Sequence, residues 1–190
     1  MRRHLRWLEV ILFTIAAVAF GYVAYVRVSA WILQQRAAHE IERSRMHQGP
    51  AAVAPPEGTL LGEIEIPRLR ASAPILEGTS DGTLRRAVGH IPGTAFPGMG
   101  GNICLAGHRD SFFRPLRMIA RGDKILLTTA VGVTVYRVEE TKIVTPEDVE
   151  ILQPGKADAL TLVTCYPFNF IGAAPERFVV RAVRSMSTTR

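Results

Sequence analysis

This 190-residue sequence predicts a mainly β domain, barrel or sandwich, set behind an N-terminal apolar helix. Three observations carry that reading. From residue 58 onward, short apolar or alternating runs recur between Gly- and Pro-rich breaks. Only short helical turns interrupt them, and even spacing of short strands in a domain of this size favours closure or stacking of sheets. Ahead of them, Val10 to Val26 carries no charged residue and the apolar stretch resumes as Val28–Leu33.

Residues 10–33 are long enough to cross a bilayer, which takes about 20 residues. A cleaved leader is the rival reading; "VSA" at Val28–Ala30 offers it a small-x-small site, but its apolar region is shorter, about 7–15 residues. Arg2, Arg3 and Arg6 precede the span against Arg27 and Arg36 close to its far end, so the positive-inside rule sets the N-terminus in the cytoplasm and everything past Leu33 outside it. "QQRAAHEIERSRMH" is polar and helix-compatible, and "QGPAAVAPPEG", residues 48–58, reads as a semi-rigid Pro/Ala linker. The expected organisation is therefore an anchor over 1–33, a juxtamembrane helix and linker over 34–57, and a folded domain over 58–190.

Within the domain, "LLGEIEIP" alternates and stops at Pro67, and "APILEG" is a second short strand. "SDGTLRRAVG" reads as a helical turn capped by Ser80 or Asp81, and "HIPGTAFPGMGGN", residues 90–102, as a loop. "NICLAGH", "DKILLTT", "GVTVYRVEETKIV", "ALTLVTC" and "ERFVVRAV" supply the further strands, to about eight in all. Helical turns are expected near 80–87, 111–119 and 147–152. "FFRPLRMI" should pack its Phe and Leu on the barrel. "TPEDVE" resembles a helix start with favourable charges; one acidic run lacks the full oxygen-ligand pattern of a calcium site.

Charge argues against a nucleic-acid partner. Residues 1–57 hold seven Arg and four Glu, and the rest of the chain 16 basic and 13 acidic residues, with no basic stripe interleaved with aromatics. Two cysteines make no disulfide framework, although one Cys104–Cys165 bridge is open in an oxidising compartment.

The chemistry is expected at strand ends. "NICLAGH" delivers His108 to the end of one strand, and "ALTLVTC" delivers Cys165 to the end of another. If the strands are neighbours, thiol and imidazole share one rim, and a thiolate beside an imidazolium is a competent nucleophile. Arg177 follows Cys165 by twelve residues, and a hairpin would return it to the cysteine. Arginine is a poor base but a good partner for a carbonyl and its oxyanion. The bland alternative is that a cysteine ending a strand is a small core residue.

The motifs weigh against that alternative. "LTLVTC" resembles the TLxTC signature of sortases, "AGHR" at 106–109 their histidine segment, and "ERFVVRA" their arginine segment. "GTAFPGMGGNICLAGHRDSFFRPL" followed by "GDKILL" is similar to the class D branch. The resemblance implies a closed eight-stranded β-barrel, no metal and no cofactor. It makes Cys165 the nucleophile, His108 the general acid/base, Arg177 the oxyanion and substrate-positioning residue, and Thr164 a weaker substrate contact. The implied reaction is transpeptidation: attack on an LPxTG-type sorting signal of a secreted protein, a thioester on Cys165, and transfer to an amine of cell-wall peptide or a pilin lysine. The implied setting is a single-pass protein of a bacterial cell membrane.

Other residues invite blander readings. Cys104 shares strand parity with His108, but its apolar neighbours favour the core. His90 has no cluster of ligands near it in sequence and reads as structural or exposed. His4, His39 and His47 lie in the anchor region. Arg109 and Asp110 either orient His108 or pair with each other at the surface, and Arg181 falls inside its strand without a motif match. Among rival functions, an L,D-transpeptidase has its Cys soon after its His, whereas 57 positions separate them here. Papain-like enzymes have the reverse order, and a non-catalytic barrel scaffold would leave Cys165 unreactive or bridged.

Overall fold

The computed structural model describes residues 55–154, 157–170 and 172–185. The expected anchor over 1–33, and the linker except its last residues, lie outside the described residues. Among the described residues, no helix is long and apolar enough to cross a membrane.

Eight strands close into a barrel. β1 (Leu60–Ile66) and β2 (Ala71–Glu77) form an antiparallel pair around a 3-10 turn, Pro67–Leu69, with Pro67 at its first position. The short helix α1 (Asp81–Leu84) starts where the sequence suggests: the Ser80 hydroxyl accepts from the Thr83 amide at 3.3 Å. β3 (Val88–His90) then runs parallel to β2. The remaining strands are β4 (Asn102–Ala106), β5 (Lys124–Thr129), β6 (Gly132–Val144), β7 (Ala159–Tyr166) and β8 (Glu176–Arg184). Around the barrel the order is β1-β2-β3-β4-β7-β8-β6-β5. Helical turns at Arg114–Met118 and Val149–Leu152 match those expected from sequence.

Inward-facing positions build the core. Ile64, Ile75, Ile103, Leu105, Leu160 and Leu162 are all buried in one cluster, and each such side chain contributes about 1.5–3 kcal/mol by leaving water. Phe113 and Leu116 of the "FFRPLRMI" segment join that cluster, as expected.

β3 corrects the sequence reading, which divided these residues between a helical turn and a loop. Three residues are too few to show alternation, and the polar His90 and Gly89 disguise the strand. Gly89 is there because a Cβ would stand 2.3 Å from the Gly78 carbonyl oxygen. His90 is fully buried. Its Nε2 faces the Ala95 carbonyl at 3.0 Å and the Thr94 hydroxyl at 3.1 Å, and its Nδ1 meets Glu77 Oε2 at 2.6 Å. The Phe96 ring lies against it, centroids 4.9 Å apart. His90 is thus the post to which the Gly/Pro-rich loop before β4 is tied.

Candidate functional site

Three neighbouring strands converge on the site. β4 and β7 run parallel, with Cys104 opposite Thr161 and Ala106 opposite Val163. The Gly107 amide donates to the Val163 carbonyl at 3.2 Å, so the alignment continues past β4. His108 follows directly, where the chain leaves the strand and turns, its carbonyl accepting from the Ser111 and Phe113 amides. On the other side of β7, Cys165 is the direct antiparallel partner of Arg177 on β8. Cys165 and Arg177 are therefore about 5 Å of backbone apart, and His108 leaves the end of the strand on the other side of β7.

They also share a face. Leu160 and Leu162 point into the core, so Thr161, Val163 and Cys165 face outward, by alternation. On β8, Val180 and Ala182 are core residues, which leaves Arg177, Val179 and Arg181 outward. On β4, Ile103 and Leu105 face in, and Cys104 and Ala106 face out.

The outer face is covered at one end and open at the other. At the covered end the Asn102 amide donates to the Ile151 and Gln153 carbonyls at 3.0 and 3.1 Å, holding the β6–β7 connection down. Its Oδ1 accepts from the Thr161 hydroxyl at 2.8 Å. Cys104 lies beneath, fully buried, and burial pushes its thiol up to about 11. Alongside that covered end lies a cleft of about 280 Å³ lined by Glu140, Lys142, Glu150, Ile151, Thr161, Val179 and Arg181. Beyond it, Cys165, His108 and Arg177 are each partly exposed.

Local packing fixes the strand end that carries His108. A Cβ on Gly107 would stand 2.7 Å from the Phe113 ring, so glycine permits that ring to seat under the turn. The Phe113 amide donates to the His108 carbonyl at 3.2 Å. Thr164, expected to touch substrate, meets a different geometry. It is buried, and its hydroxyl donates to the Gly107 carbonyl at 2.7 Å. Arg177 Nη1 donates to the Ala174 and Glu176 carbonyls at 3.2 and 2.9 Å. Those bonds leave the Nε and Nη2 side of its fork for another acceptor.

Two points left open by the sequence are decided. The cysteines are both free thiols. Cys104 sits opposite Thr161, four residues along β7 from Cys165, or about 13 Å at 3.3 Å per residue, whereas a disulfide needs Cα atoms about 4.4–6.8 Å apart. Arg109 neither pairs with Asp110 nor turns to His108; it donates to backbone carbonyls of Pro167, Phe170 and Gly172. Arg181 stays on its strand, 3.9 Å from Glu139. What the sequence reading missed is the buried His90–Glu77 pair; two polar residues in separate segments give no periodic signal.

Known proteins resemble this chain in sequence and fold. The Sortase domain family model matches residues 64–185. Sortase D of Bacillus subtilis (strain 168) is 37% identical over 135 residues, covering 70% of this chain and 68% of that protein. A Clostridium perfringens Sortase D5 transpeptidase superposes with a TM-score of 0.63 at 25% identity, over 78% of this chain and 88% of that one. The sortase C of Clostridium perfringens, solved with the C-terminal cell wall sorting motif, gives 0.65 at 28% identity, over 83% and 88% of the two chains. A closed barrel with this strand order, matched over most of its length to these proteins, means that the chain belongs to the sortase family of transpeptidases, most like its class D branch.

Proposed function

We propose that the chain is a membrane-anchored cysteine transpeptidase acting on an LPxTG-like sorting signal, with Cys165, His108 and Arg177 as its catalytic residues. The observation that carries this is that Cys165 and Arg177 are direct cross-strand partners on one outer face, with His108 just past the end of the strand on the other side of β7. In this reading the Cys165 sulfur attacks the carbonyl carbon of the scissile peptide bond. Arg177 donates to the oxyanion, a contribution worth about 10²–10³ in kcat. His108 gives its proton to the departing amine as the C–N bond breaks, and the acyl group stays on Cys165 as a thioester. An incoming amine then attacks that carbonyl, His108 takes its proton, and the thiolate leaves. Water competes for the same thioester. Thr164 serves this site from behind: its bond to Gly107 sets the turn that presents His108.

The remaining assignments concern the cell. Residues 1–33 hold the chain in the membrane with the N-terminus cytoplasmic, residues 34–57 space it, and residues 58–190 work outside the cytoplasm. The donor is a secreted protein bearing the signal, and the acceptor is an amine of cell-wall peptide or a pilin lysine. The sorting motif bound to the clostridial sortase C supports the first partner by likeness.

The test uses the full chain in detergent, with LPxTG-type peptides and an amine, read by intact mass. The expected result is an acyl adduct lost in Cys165→Ala, and a transfer product once amine is present. No adduct from any such peptide, with Cys165 still readily alkylated, would overturn the signal class. No adduct and no alkylation would overturn the catalytic reading.

A further inference from the structure

Arg109 follows His108 directly, yet its side chain serves another segment. Its Nη1 donates to the Pro167 carbonyl at 3.2 Å, and its Nη2 to the carbonyls of Phe170 at 2.7 Å and Gly172 at 2.9 Å. The guanidinium carbon stands 5.9 Å from the Phe170 ring centroid, within cation–π reach. All three carbonyls belong to the connection between β7 and β8, which begins just after Cys165 and ends just before Arg177.

The barrel holds that connection only at its first residues, through Phe168. The β7–β8 ladder ends at Tyr166 opposite Glu176. Beyond it Asn169, Phe170, Gly172, Ala173 and Pro175 are exposed. Phe168 packs against the core at one end, and Arg109 supplies the three hydrogen bonds described above. The same connection supports Arg177, whose Nη1 rests on the Ala174 and Glu176 carbonyls. One guanidinium therefore shapes the segment on which the other leans. The arrangement suits arginine alone: its planar fork reaches separated acceptors from two nitrogens, whereas a lysine offers one compact point of charge.

We infer that Arg109 is a positioning residue, which fixes the β7–β8 connection from the strand end bearing His108 and thereby orients the Arg177 guanidinium that leans on that connection. The histidine, cysteine and arginine motifs are then held in one geometry by a residue outside all three roles. This rests on the catalytic roles proposed above, and it goes beyond them by naming the part that couples them.

The experiment compares the full chain in detergent with R109A, R109Q and R109K. It reads kcat and KM for peptide transfer to an amine, thermal melting, and amide hydrogen exchange over residues 167–175 against β4, β7 and β8. The expected result is faster exchange over 167–175 in all three variants, with the strands exchanging as in the parent and melting little changed. With it, kcat should fall about 100-fold, the scale of a misplacement of about 1 Å, while KM moves far less. Should R109A fail to fold, R109K and R109Q carry the comparison. Full activity in R109K would overturn the inference, because charge beside His108 and not the fork would then suffice. So would unchanged exchange over 167–175, or a rise in KM with kcat intact. A parent chain that transfers nothing would remove the proposed reaction, while the exchange comparison would still decide whether Arg109 holds the connection.

Discussion

Two thiols lie on the same outward face of adjacent strands, and their surroundings set them apart. Cys104 is sealed under the β6–β7 connection, and burial raises its thiol to about 11. At pH 8 it is therefore overwhelmingly the thiol, and the side chain is sealed from solvent. Cys165 is partly exposed at the open end of the same face. A small alkylating reagent at pH 8 should therefore add once to the native chain, at Cys165, and a second time only in denaturant. Peptide mapping by mass checks this; native modification of Cys104, or of neither thiol, would contradict the assignment. Sequence alone could rank the two cysteines, because only Cys165 closes a TLxTC stretch. It could not read the job of Thr164, since a threonine before a cysteine looks the same whether its hydroxyl faces a peptide or the Gly107 carbonyl. Nor could it read His90, whose partners Glu77 and Ala95 come from separate segments.

Legibility at the scale of elements followed length and punctuation. β4, β7 and β8 are apolar runs with sharp ends, so their residues and their termini at His108, Cys165 and Arg177 were visible. β3 was not, because its three residues include a glycine required by a neighbouring carbonyl and a histidine required by a buried carboxylate. Connections were the least legible, and one of them titrates. Asp123, just before β5, accepts from Arg68 Nη2 at 2.6 Å, tying the turn after β1 to the start of β5. That hydrogen bond, aided by the Ala120 amide, holds the Asp123 carboxyl below the ordinary carboxylate range although the side chain is only 7% exposed. A depressed folded-state value stabilises the fold above the unfolded value, about 3.9, and the gain is lost as pH falls through the folded value. Asp123→Asn should lower the melting temperature at pH 7, and the gap to the parent should close progressively below about pH 4. Thermal melts across that range check it; a gap that persists unchanged at pH 2 would mean that packing, and not the charge, is what the variant loses.

For the whole molecule, closure was the step that residue patterns could not supply. β4 and β7 lie side by side although 52 residues separate their last and first positions, and no periodicity reports such a parallel pairing. The likeness of three motifs to one family supplied it instead, and the closed order bears it out. The same face that closure creates gives the chain a reporter of its own orientation in the cell. Cys104 is fully buried and Cys165 is not, so a membrane-impermeant maleimide has a single target among the described residues, and the rest of the sequence holds no further cysteine. With residues 10–33 spanning the bilayer and the N-terminus inside, intact spheroplasts should be labelled at Cys165, and those carrying Cys165→Ala should not. Labelling that appears only once the membrane is opened would put the barrel in the cytoplasm and sink the anchored reading. A labelled chain found in the medium without its first residues would instead favour the cleaved leader, since the apolar segment would then have served export and not retention.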